Sequence, residues 1–499
     1  MKIYKLYLVL SIFAMLAAPA CKKDKNDEGG PSANGTREEL TKDSIFLYAK
    51  ETYLWNDALP SYEQFNPRGF ANFNGILTAF ATYQPLDKYS FLDDGSLADE
   101  LGGVSGDYGF AVNYNDGNPL DLRINYVYEN SPAGTQGVKR GYQITKLNGR
   151  TELDGRSQAN IDHIVNAVFG AEPSVSMTLK KFDGTSVDVT VTRGTYSINP
   201  VLFSNVYSAG AKKIGYLVFN SFTTNTVNRL TAVMADFANQ GVSELIIDLR
   251  YNGGGSVATA EALTNLIAPA SENGSVMFTT YYNQIMQSNG AAILANQPLL
   301  DENGKLQPYT EGVNGKYATY ADLDFSPTRQ ADNQEVFEKT GNLNVSRVYF
   351  IVTGATASAS ELVINNLKPV LDVRLIGRRT FGKPVGFFGI HIDKYDLYIP
   401  QFETKNKDNQ GEYYQGMIVD QEDYDDISKE FGNPSERYLS YALGHSQSGS
   451  FPAVSVATIS STTKKRIERM SREESMRVTN ELDKTRFKGM VESKRNLNR

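Results

Sequence analysis

A serine lies in one short turn, residues 354–361, where its hydroxyl could act as a nucleophile. The turn follows the apolar run 347–352 and precedes the helical pattern 362–367. A predicted buried strand therefore leads through the turn into a helix, and the free N–H groups of a helix start form an anion site beside Ser358. Clusters of alanine and serine also occur where a helix start packs tightly on a sheet. The turn alone leaves both interpretations open.

A lysine in a second turn could be the base for that serine. Lys383 lies between apolar and glycine residues in the stretch 380–386, just after a predicted strand. A free lysine has a pKa near about 10.4, and burial can lower it toward the range of roughly 7 to 8 that suits a general base at neutral pH. A lysine in a Gly-Lys-Pro turn can equally be exposed. This turn therefore supports catalysis only together with the other turns.

The third turn, residues 248–255, is rich in glycine. It follows the apolar run 244–249 and precedes the helical pattern 257–267. Glycines let backbone N–H groups approach a ligand closely, as phosphate loops and oxyanion holes both require. The turn lacks the Lys-Ser/Thr ending of a phosphate loop, so an oxyanion hole fits better. One such donor changes a rate by on the order of a hundred- to a thousandfold.

Other chemistries find little support in the composition. The three histidines, His163, His391 and His445, fall in separate predicted elements, which favours structural roles over a Ser-His-Asp triad. No His/Cys/carboxylate spacing predicts a metal site, and no dinucleotide fingerprint predicts a cofactor. The formal net charge of −7 argues against nucleic acid as a partner. We expect neither a metal nor a cofactor.

Taken together, the three turns resemble the C-terminal processing, or tail-specific, serine peptidases of family S41. The matching residues of the family's three motifs are Asp248, Arg250, Asn252, Gly254 and Gly255; Ser358, Ala359, Ser360 and Glu361; and Phe381, Gly382 and Lys383. The resemblance implies Ser358 as nucleophile and Lys383 as general base. It also implies an oxyanion hole formed by the N–H groups of Ala359 and Gly254. Residues that would hold the site in shape are Asp248, Arg250 and Glu361.

One residue departs from the family pattern. Many members carry a polar residue, often Gln, four positions after the lysine to orient its amine, and here that position is Phe387. Either another group orients Lys383 or the site relies on packing. Asp372 lies nearby in sequence, but its spacing does not match the acid of some members, and we leave it out of the catalytic set.

The N-terminus predicts secretion and a lipid anchor. A basic start and an apolar run from Leu6 to Ala18 form a signal peptide over residues 1–20, with small residues before Cys21, the only cysteine. The position of Cys21 resembles the lipidated cysteine of bacterial lipoproteins; ordinary cleavage with an incidental cysteine is the alternative. Residues 21–35 have the composition of a disordered tether. We expect a protein of the bacterial cell envelope, held by lipid on the periplasmic or surface side of the outer membrane.

Two regions precede the predicted catalytic core. Residues 36–101 show helical spacing of apolar residues, with a possible cap at residues 41–44. Residues 102–196 show short strands, hairpin turns and one helix at about residues 161–169. The stretches 131–141 and 144–149 are similar to the signature of PDZ domains in bacterial proteases. In that family the turn matched by Gly109 and Phe110 binds a peptide's C-terminal carboxylate while the peptide adds a strand to the sheet. The alternative is a small β-domain that only packs.

The remaining chain alternates strands and helices. Residues 197–445 predict an α/β core with parallel pairing, interrupted at 268–344 by a polar stretch that we expect to fold over the surface. The charged tail, residues 446–499, fits either a solvated helix or a segment that docks on a partner or an acidic surface.

The predicted fold class is therefore multidomain α+β: an N-terminal helical segment, a PDZ β-domain with helices, and an α/β (crotonase/ClpP-like) S41 peptidase core. The resemblance implies a serine endopeptidase that cleaves peptides or unfolded segments of envelope proteins through a Ser-Lys dyad. The alternative is a lipid-anchored, non-catalytic peptide-binding scaffold with a degenerate core. The sequence leaves the oligomeric state open.

Overall fold

The computed structural model describes residues 31–301, 304–452, 469–483 and 486–492 of the 499-residue chain. The predicted signal peptide, Cys21 and most of the predicted tether lie outside the described residues. Among the residues described, no helix is both long and apolar enough to cross a bilayer.

The described helices and strands follow one another along the whole chain. The α-helices are α1 (Arg37–Thr52), α2 (Tyr62–Phe65), α3 (Phe73–Tyr83), α4 (Ser96–Leu101), α5 (Pro132–Thr135), α6 (Gln158–Phe169), α7 (Val227–Asn239), α8 (Val257–Ile267), α9 (Gln284–Gln287), α10 (Ala359–Leu367), α11 (Arg437–Ser448) and α12 (Arg472–Leu482). The strands are β1 (Phe91–Asp93), β2 (Val104–Ser105), β3 (Phe110–Tyr114), β4 (Leu122–Val127), β5 (Gln143–Leu147), β6 (Ser174–Lys180), β7 (Ser186–Thr192), β8 (Tyr196–Ser197), β9 (Val201–Ala209), β10 (Lys212–Phe219), β11 (Glu244–Asp248), β12 (Gly254–Ser256), β13 (Val276–Tyr282), β14 (Gln334–Val336), β15 (Arg347–Val352), β16 (Asp372–Gly377), β17 (Val385–Gly386), β18 (Ile390–Ile392), β19 (Tyr395–Tyr398), β20 (Phe402–Asn406), β21 (Gln421–Glu422) and β22 (Gly489–Val491). Short 3-10 helices lie at Asn56–Ala58, Pro67–Gly69, Asn115–Gly117, Thr224–Thr226, Ala270–Glu272, Ala292–Asn296 and Tyr320–Asp322.

Helix α1 begins earlier than the sequence predicts. Thr36 caps it: the Thr36 hydroxyl accepts from the Glu39 N–H, and the Glu39 carboxylate accepts from the Thr36 N–H at 2.7 Å. The predicted cap at residues 41–44 is wrong because those residues lie inside the helix. There the hydroxyl of Thr41 donates to the carbonyl of Arg37 at 2.9 Å instead of accepting from a free N–H.

The N-terminal segment 36–101 is a layer on the core rather than a domain with its own core. Phe46, Phe65 and Phe80 belong to the same buried cluster as Leu217 of β10. Strand β1 also pairs with β19 of the core region. The buried apolar side chains of this segment therefore pack against the α/β region and share its core.

Residues 104–197 contain a β-domain with a core of its own. Its five strands pair in the order β3-β4-β5-β6-β7, all antiparallel, and helix α6 packs on them. The predicted helix near residues 161–169 is α6, which begins three residues earlier, at Gln158, whereas the last strand of the sheet, β7, was not predicted. Strand β3 is an edge of this sheet, which leaves one of its sides free of a neighbouring strand of the sheet.

The α/β region is built on a six-stranded sheet in the order β21-β16-β15-β11-β10-β9. Strands β10, β11, β15, β16 and β21 are parallel, and β9 is antiparallel to β10. Alternate residues of β11 face opposite layers: Leu245 and Ile247 pack with α8 and α10, whereas Ile246 packs with α11. Because parallel strands end at one edge of the sheet, the turns after β11 and β15 meet there.

The stretch 268–344 is not confined to the surface as expected. It contributes β13, an inner strand of a second sheet in the order β14-β13-β20-β17. Met277 and Phe278 of β13 are buried in the main cluster, which gives this polar stretch a share of the core. Four short strands, β17 to β20, follow Lys383, and α11 continues beyond residue 445, the predicted end of the core, to Ser448.

The described part of the C-terminal tail is packed rather than solvated. Val478 and Leu482 of α12 are buried in the β-domain cluster, and Met490 of β22 is buried in the main cluster. The solvated-helix interpretation is therefore wrong for these residues, because one face of α12 is apolar and covers the β-domain.

Candidate active site

Hydrogen bonds join the glycine turn (residues 248–255) to the serine turn (residues 354–361) at the carboxyl edge of the sheet. The carbonyl of Asn252 accepts from the Ala357 N–H and from the Ser360 hydroxyl, both at 3.1 Å. The Thr356 hydroxyl donates to the Leu249 carbonyl at 2.7 Å. These bonds hold the turn after β11 against the turn after β15.

Ser358 combines an unusual backbone conformation with a buried hydroxyl that makes no hydrogen bond to the described residues. Its backbone has φ +58° and ψ −107°, a conformation that residues other than glycine rarely adopt. Helix α10 begins at the next residue. Its hydroxyl is buried, and among the described residues it has no hydrogen-bond partner. A buried, unpartnered hydroxyl at a strained turn is available for chemistry.

Glu361 joins the serine turn to the lysine turn. Its Oε2 accepts from the N–H of Ser358 and from the N–H of Lys383, each at 2.8 Å, while its Oε1 accepts from the N–H of Gly382 at 2.8 Å and from the hydroxyl of Thr380. Burial raises the pKa of Glu361, and these donors oppose that rise. One carboxylate thus holds both turns side by side.

The Lys383 side chain is fully buried. Its amine lies 3.6 Å from the centroid of the Phe387 ring and 5.2 Å from that of Tyr89. It donates to the carbonyl of Lys488 at 2.7 Å. Burial is the main cause that lowers the pKa of Lys383 well below its ordinary value, against the opposing charges of Asp87 and Glu361. In this structure an aromatic face and a backbone carbonyl orient the amine where Phe387 replaces the usual polar residue.

Asp248 and Arg250 form a buried charge cluster behind the site. Arg250 binds Asp248 at 2.7 Å, Asp425 at 2.7 Å and Glu436 at 2.9 Å. The cluster ties the turn after β11 to the start of α11, because Glu436 also caps that helix. Asp425 and Glu436 were missed by sequence reasoning, and no spacing linked them to Arg250, which lies far away along the chain.

Gly254 lies against the serine turn. At φ +110° a Cβ atom on it would come within 3.0 Å of the Ala357 carbonyl and 2.1 Å of the Gly489 carbonyl, so only glycine fits. The N–H of Gly254 donates to Asn252 Oδ1 at 2.9 Å. This N–H, which was predicted as a donor of the oxyanion hole, therefore already has a hydrogen-bond acceptor in this structure. Ala359, the other predicted donor, is the first residue of α10.

Gly109 and Phe110 lie in the β-domain, away from Ser358. Gly109 has φ +82°, its N–H donates to Asp107 Oδ1 at 2.7 Å, and its carbonyl accepts from the N–H of Tyr128 at 2.9 Å. Phe110 starts the edge strand β3. The structure therefore places the predicted peptide-binding residues in a separate domain from the predicted catalytic residues.

Each of the three histidines has a polar partner that is not one of the predicted catalytic residues. His163 contacts the Leu147 carbonyl at 3.0 Å, His391 contacts Asp396 at 3.0 Å, and the Nδ1 of His445 contacts the hydroxyl of Tyr349 at 2.9 Å. Asp372 pairs with Arg347 at 2.6 Å on the sheet. Across the described ranges, no group of three or more His, Cys, Asp or Glu residues could hold a metal ion.

A cavity of about 780 Å³ opens beside the lysine turn. Lys88 and Tyr89 line one side, Thr380 and Phe381 belong to the lysine turn, and Lys488 closes it from the C-terminal segment. The cavity is large enough for several residues of an extended chain.

The region that contains the three turns is also the region that matches known proteins. Residues 213–420 match the model of Peptidase family S41. The chloroplastic C-terminal processing peptidase of Tetradesmus obliquus is 24% identical over 305 residues, 59% of this chain and 55% of that protein. The carboxy-terminal processing protease of Bacillus subtilis is 24% identical over 306 residues, 61% of this chain and 52% of that protein. The chain spans about half the length of these curated relatives.

One solved structure is similar over most of the chain. It is the crystal structure of a candidate S41 protease from Bacteroides fragilis, 25% identical, with a TM-score of 0.54. The match covers 81% of this chain and 97% of that one. The likeness extends beyond residues 213–420 to most of the described fold.

Proposed function

We propose, because residues 213–420 match the model of Peptidase family S41, that this chain is a serine endopeptidase of the C-terminal processing type. Ser358 is the nucleophile and Lys383 is the general base. The observation that carries the proposal is the Glu361 carboxylate, which accepts from the backbone N–H groups of both residues. Glu361 thus holds together two turns: one contains a buried serine hydroxyl without a hydrogen-bond partner among the described residues, and the other contains a buried lysine whose pKa is lowered.

The reaction follows from these groups. The neutral amine of Lys383 takes the proton from the Ser358 hydroxyl as its oxygen attacks the peptide carbonyl. The N–H of Ala359, at the positive end of α10, stabilises the oxyanion, and Gly254 supplies a second N–H once it leaves Asn252. The lysine ammonium returns its proton to the leaving amine, and the C–N bond breaks to give an acyl-enzyme. Lys383 then deprotonates a water molecule that attacks the ester carbonyl, the ester C–O bond breaks, and the lysine ammonium returns the proton to the Ser358 oxygen, which frees the acid product and restores the enzyme.

The β-domain is the proposed PDZ module that captures the substrate. Edge strand β3 begins at Phe110, directly after Gly109, and α6 belongs to the same hydrophobic cluster as the sheet, an arrangement in which a peptide can add as a strand. The substrates are peptides or unfolded and C-terminal segments of envelope proteins. Lipidation of Cys21 would hold the protein at the bacterial cell envelope, which fits the signal-like N-terminus.

Cleavage of a denatured protein by the chain from Lys22 onward tests the dyad. We expect Ser358→Ala and Lys383→Ala each to lower the cleavage rate by on the order of 10³-fold or more, since the two groups act as a unit. The matched controls are Ser346→Ala, an exposed serine before β15, and Lys368→Ala, an exposed lysine after α10. Unchanged cleavage in Ser358→Ala or in Lys383→Ala would rule out the dyad.

A further inference from the structure

The C-terminal segment of this chain passes over both sites that the proposed function assigns. Helix α12 lies on the β-domain, and β22 lies between the glycine turn and the lysine turn. Neither the family model nor the proposed mechanism gives these residues a role, since the matched region ends at residue 420.

Helix α12 covers the free side of the β-domain between β3 and α6. The amide of Asn113 on β3 donates to the Thr479 hydroxyl at 3.2 Å, and Arg477 donates to Gln158 of α6 at 3.0 Å. Val478 and Leu482 are buried in the β-domain cluster. Because a peptide would add as a strand along β3, α12 occupies the place where it would bind.

The next described residues, 486–492, contain strand β22 and lie in the cleft of the α/β region. Strand β22 pairs in parallel with β12, in the register Gly254 to Gly489, and the Gly489 N–H donates to the Gly253 carbonyl at 2.9 Å. On its other side, the carbonyl of Met490 accepts from the Phe387 N–H at 3.0 Å. The segment is thus hydrogen-bonded along both edges, as an extended peptide substrate would be.

This strand contacts the catalytic groups of the proposed mechanism. The Lys488 carbonyl accepts from the amine of Lys383, and the Gly489 carbonyl oxygen lies 2.1 Å from the position that a Cβ atom on Gly254 would take. The Met490 side chain is fully buried, with its Cγ 3.0 Å from the Cβ position of Gly386. Lys383 therefore donates to the chain's own C-terminal segment, while the Ser358 hydroxyl lacks a partner among the described residues.

We propose that Arg486–Glu492 is an internal peptide in the substrate site, anchored by α12 on the β-domain, and that a polypeptide substrate must displace it. The occupant also defines the substrate: an extended segment, parallel to β12, with an unbranched apolar side chain at the place of Met490. Because the segment is tethered, its effective concentration at the site is on the order of millimolar, so it excludes weakly binding peptides. The expected inhibition of catalysis rests on the proposed function, whereas the presence of residues 486–492 in the cleft does not.

Binding of a labelled peptide tests the occupancy without catalysis. The probe is a fluorescent peptide with the sequence of residues 486–492, and its anisotropy is measured with Ser358→Ala proteins. We expect a chain ending at Asp483, which keeps α12 but lacks β22, to bind the probe about 100-fold or more tightly than the intact chain. A probe carrying Met490→Asp should not bind, because a carboxylate would enter a buried apolar pocket.

A point variant covers the case in which the shortened chain does not fold. In the intact chain, Met490→Asp should release the segment and restore probe binding, whereas Glu473→Ala, an exposed residue of α12, should leave binding at the level of the intact chain. Equal binding of the probe by the intact chain, the shortened chain and Met490→Asp would overturn the proposal. So would a failure of all three to bind.

Cleavage assays on proteins with Ser358 separate this inference from the proposed function. We expect the shortened chain and Met490→Asp to cleave a denatured protein at least tenfold faster than the intact chain. If none of them cleaves while the probe still binds better without β22, the peptidase function fails and the occupancy stands. If all cleave at one rate and bind the probe equally, the occupancy fails and the peptidase function stands.

Discussion

The burial of Lys383 determines the proton chemistry of the candidate site. A lysine amine in a dry interior loses the hydration that stabilises its charge, so the neutral form is favoured and the pKa of Lys383 lies well below its ordinary value. The nearby Phe387 ring attracts the ammonium form but cannot replace hydration. The amine is therefore neutral over a wider pH range than a surface lysine and can act as a base.

The same burial predicts a pH-dependent stability effect for Lys383→Met. The folded-state pKa lies below the unfolded value of about 10.4, so between these two values the unfolded chain binds more protons and the stability of the native protein rises with pH. Replacing Lys383 by Met removes this dependence. We expect the variant to exceed the native chain in free energy of unfolding at pH 7, and the difference to shrink toward pH 10.

Denaturant unfolding at the two pH values measures this effect. Each pKa unit of depression corresponds to about 1.4 kcal/mol of destabilisation at low pH. Lys139→Met, at an exposed position, is the matched control and should show the same difference from the native chain at both pH values. A difference for Lys383→Met that does not change between pH 7 and pH 10 would contradict the buried neutral amine.

At the scale of elements, a charge cluster rather than apolar packing alone joins β11 to α11. Arg250 is buried with Asp248, Asp425 and Glu436, and its guanidinium also lies 5.0 Å from the Tyr438 ring centroid. The glycine turn leaves β11 directly at this cluster. The position of the turn therefore depends on residues of a loop and a helix that come much later in the chain.

Removing the central charge should destabilise the protein strongly. We expect Arg250→Leu to lower the free energy of unfolding by about 3 to 5 kcal/mol, because its carboxylate partners stay buried without a counter-charge. Arg374→Leu, which removes a half-exposed arginine paired with Asp372, should cost less than about 1 kcal/mol. Urea unfolding compares the two, and equal losses would mean that the Arg250 cluster is not a structural tie.

At the scale of the whole molecule, Arg140 fixes the β-domain on the α/β region. Its guanidinium donates to the Tyr251 hydroxyl at 2.8 Å and to the Lys429 carbonyl at 3.0 Å, and lies 4.2 Å from the Phe431 ring centroid. It also donates to the Asn125 carbonyl of its own domain. This buried arginine therefore makes hydrogen bonds to both the β-domain and the α/β region.

Arg140→Ala should loosen the two domains without unfolding either. Loss of hydrogen bonds to a charged donor costs about 1.5 to 3 kcal/mol each, so local opening should become about tenfold more frequent or more. Hydrogen–deuterium exchange should rise at residues 122–127 and 425–431 while the α8 and α10 amides stay protected. Arg156→Ala, an exposed arginine of the same domain, is the control. Unchanged exchange at both interface segments would contradict this role.

Local sequence predicted many individual elements. Runs of apolar residues located β11, β15, α6 and α8, because each buries a continuous run or a regular face. Predictions failed where the local signal was weak or divided. Strand β13 lies in a polar stretch, and the apolar spacing of α12 was obscured by its many charged residues.

The sequence by itself determined which residue types stand in the three turns and their order along the chain, since a serine, a lysine and glycines between buried strands and helices are visible in local patterns. Only the tertiary structure decided that Glu361 joins two of those turns, that Asp425 and Glu436 surround Arg250, and that the C-terminal segment lies on Lys383. These are contacts between residues distant in the chain. They depend on strand register and on which surfaces bury each other, and local periodicity contains neither.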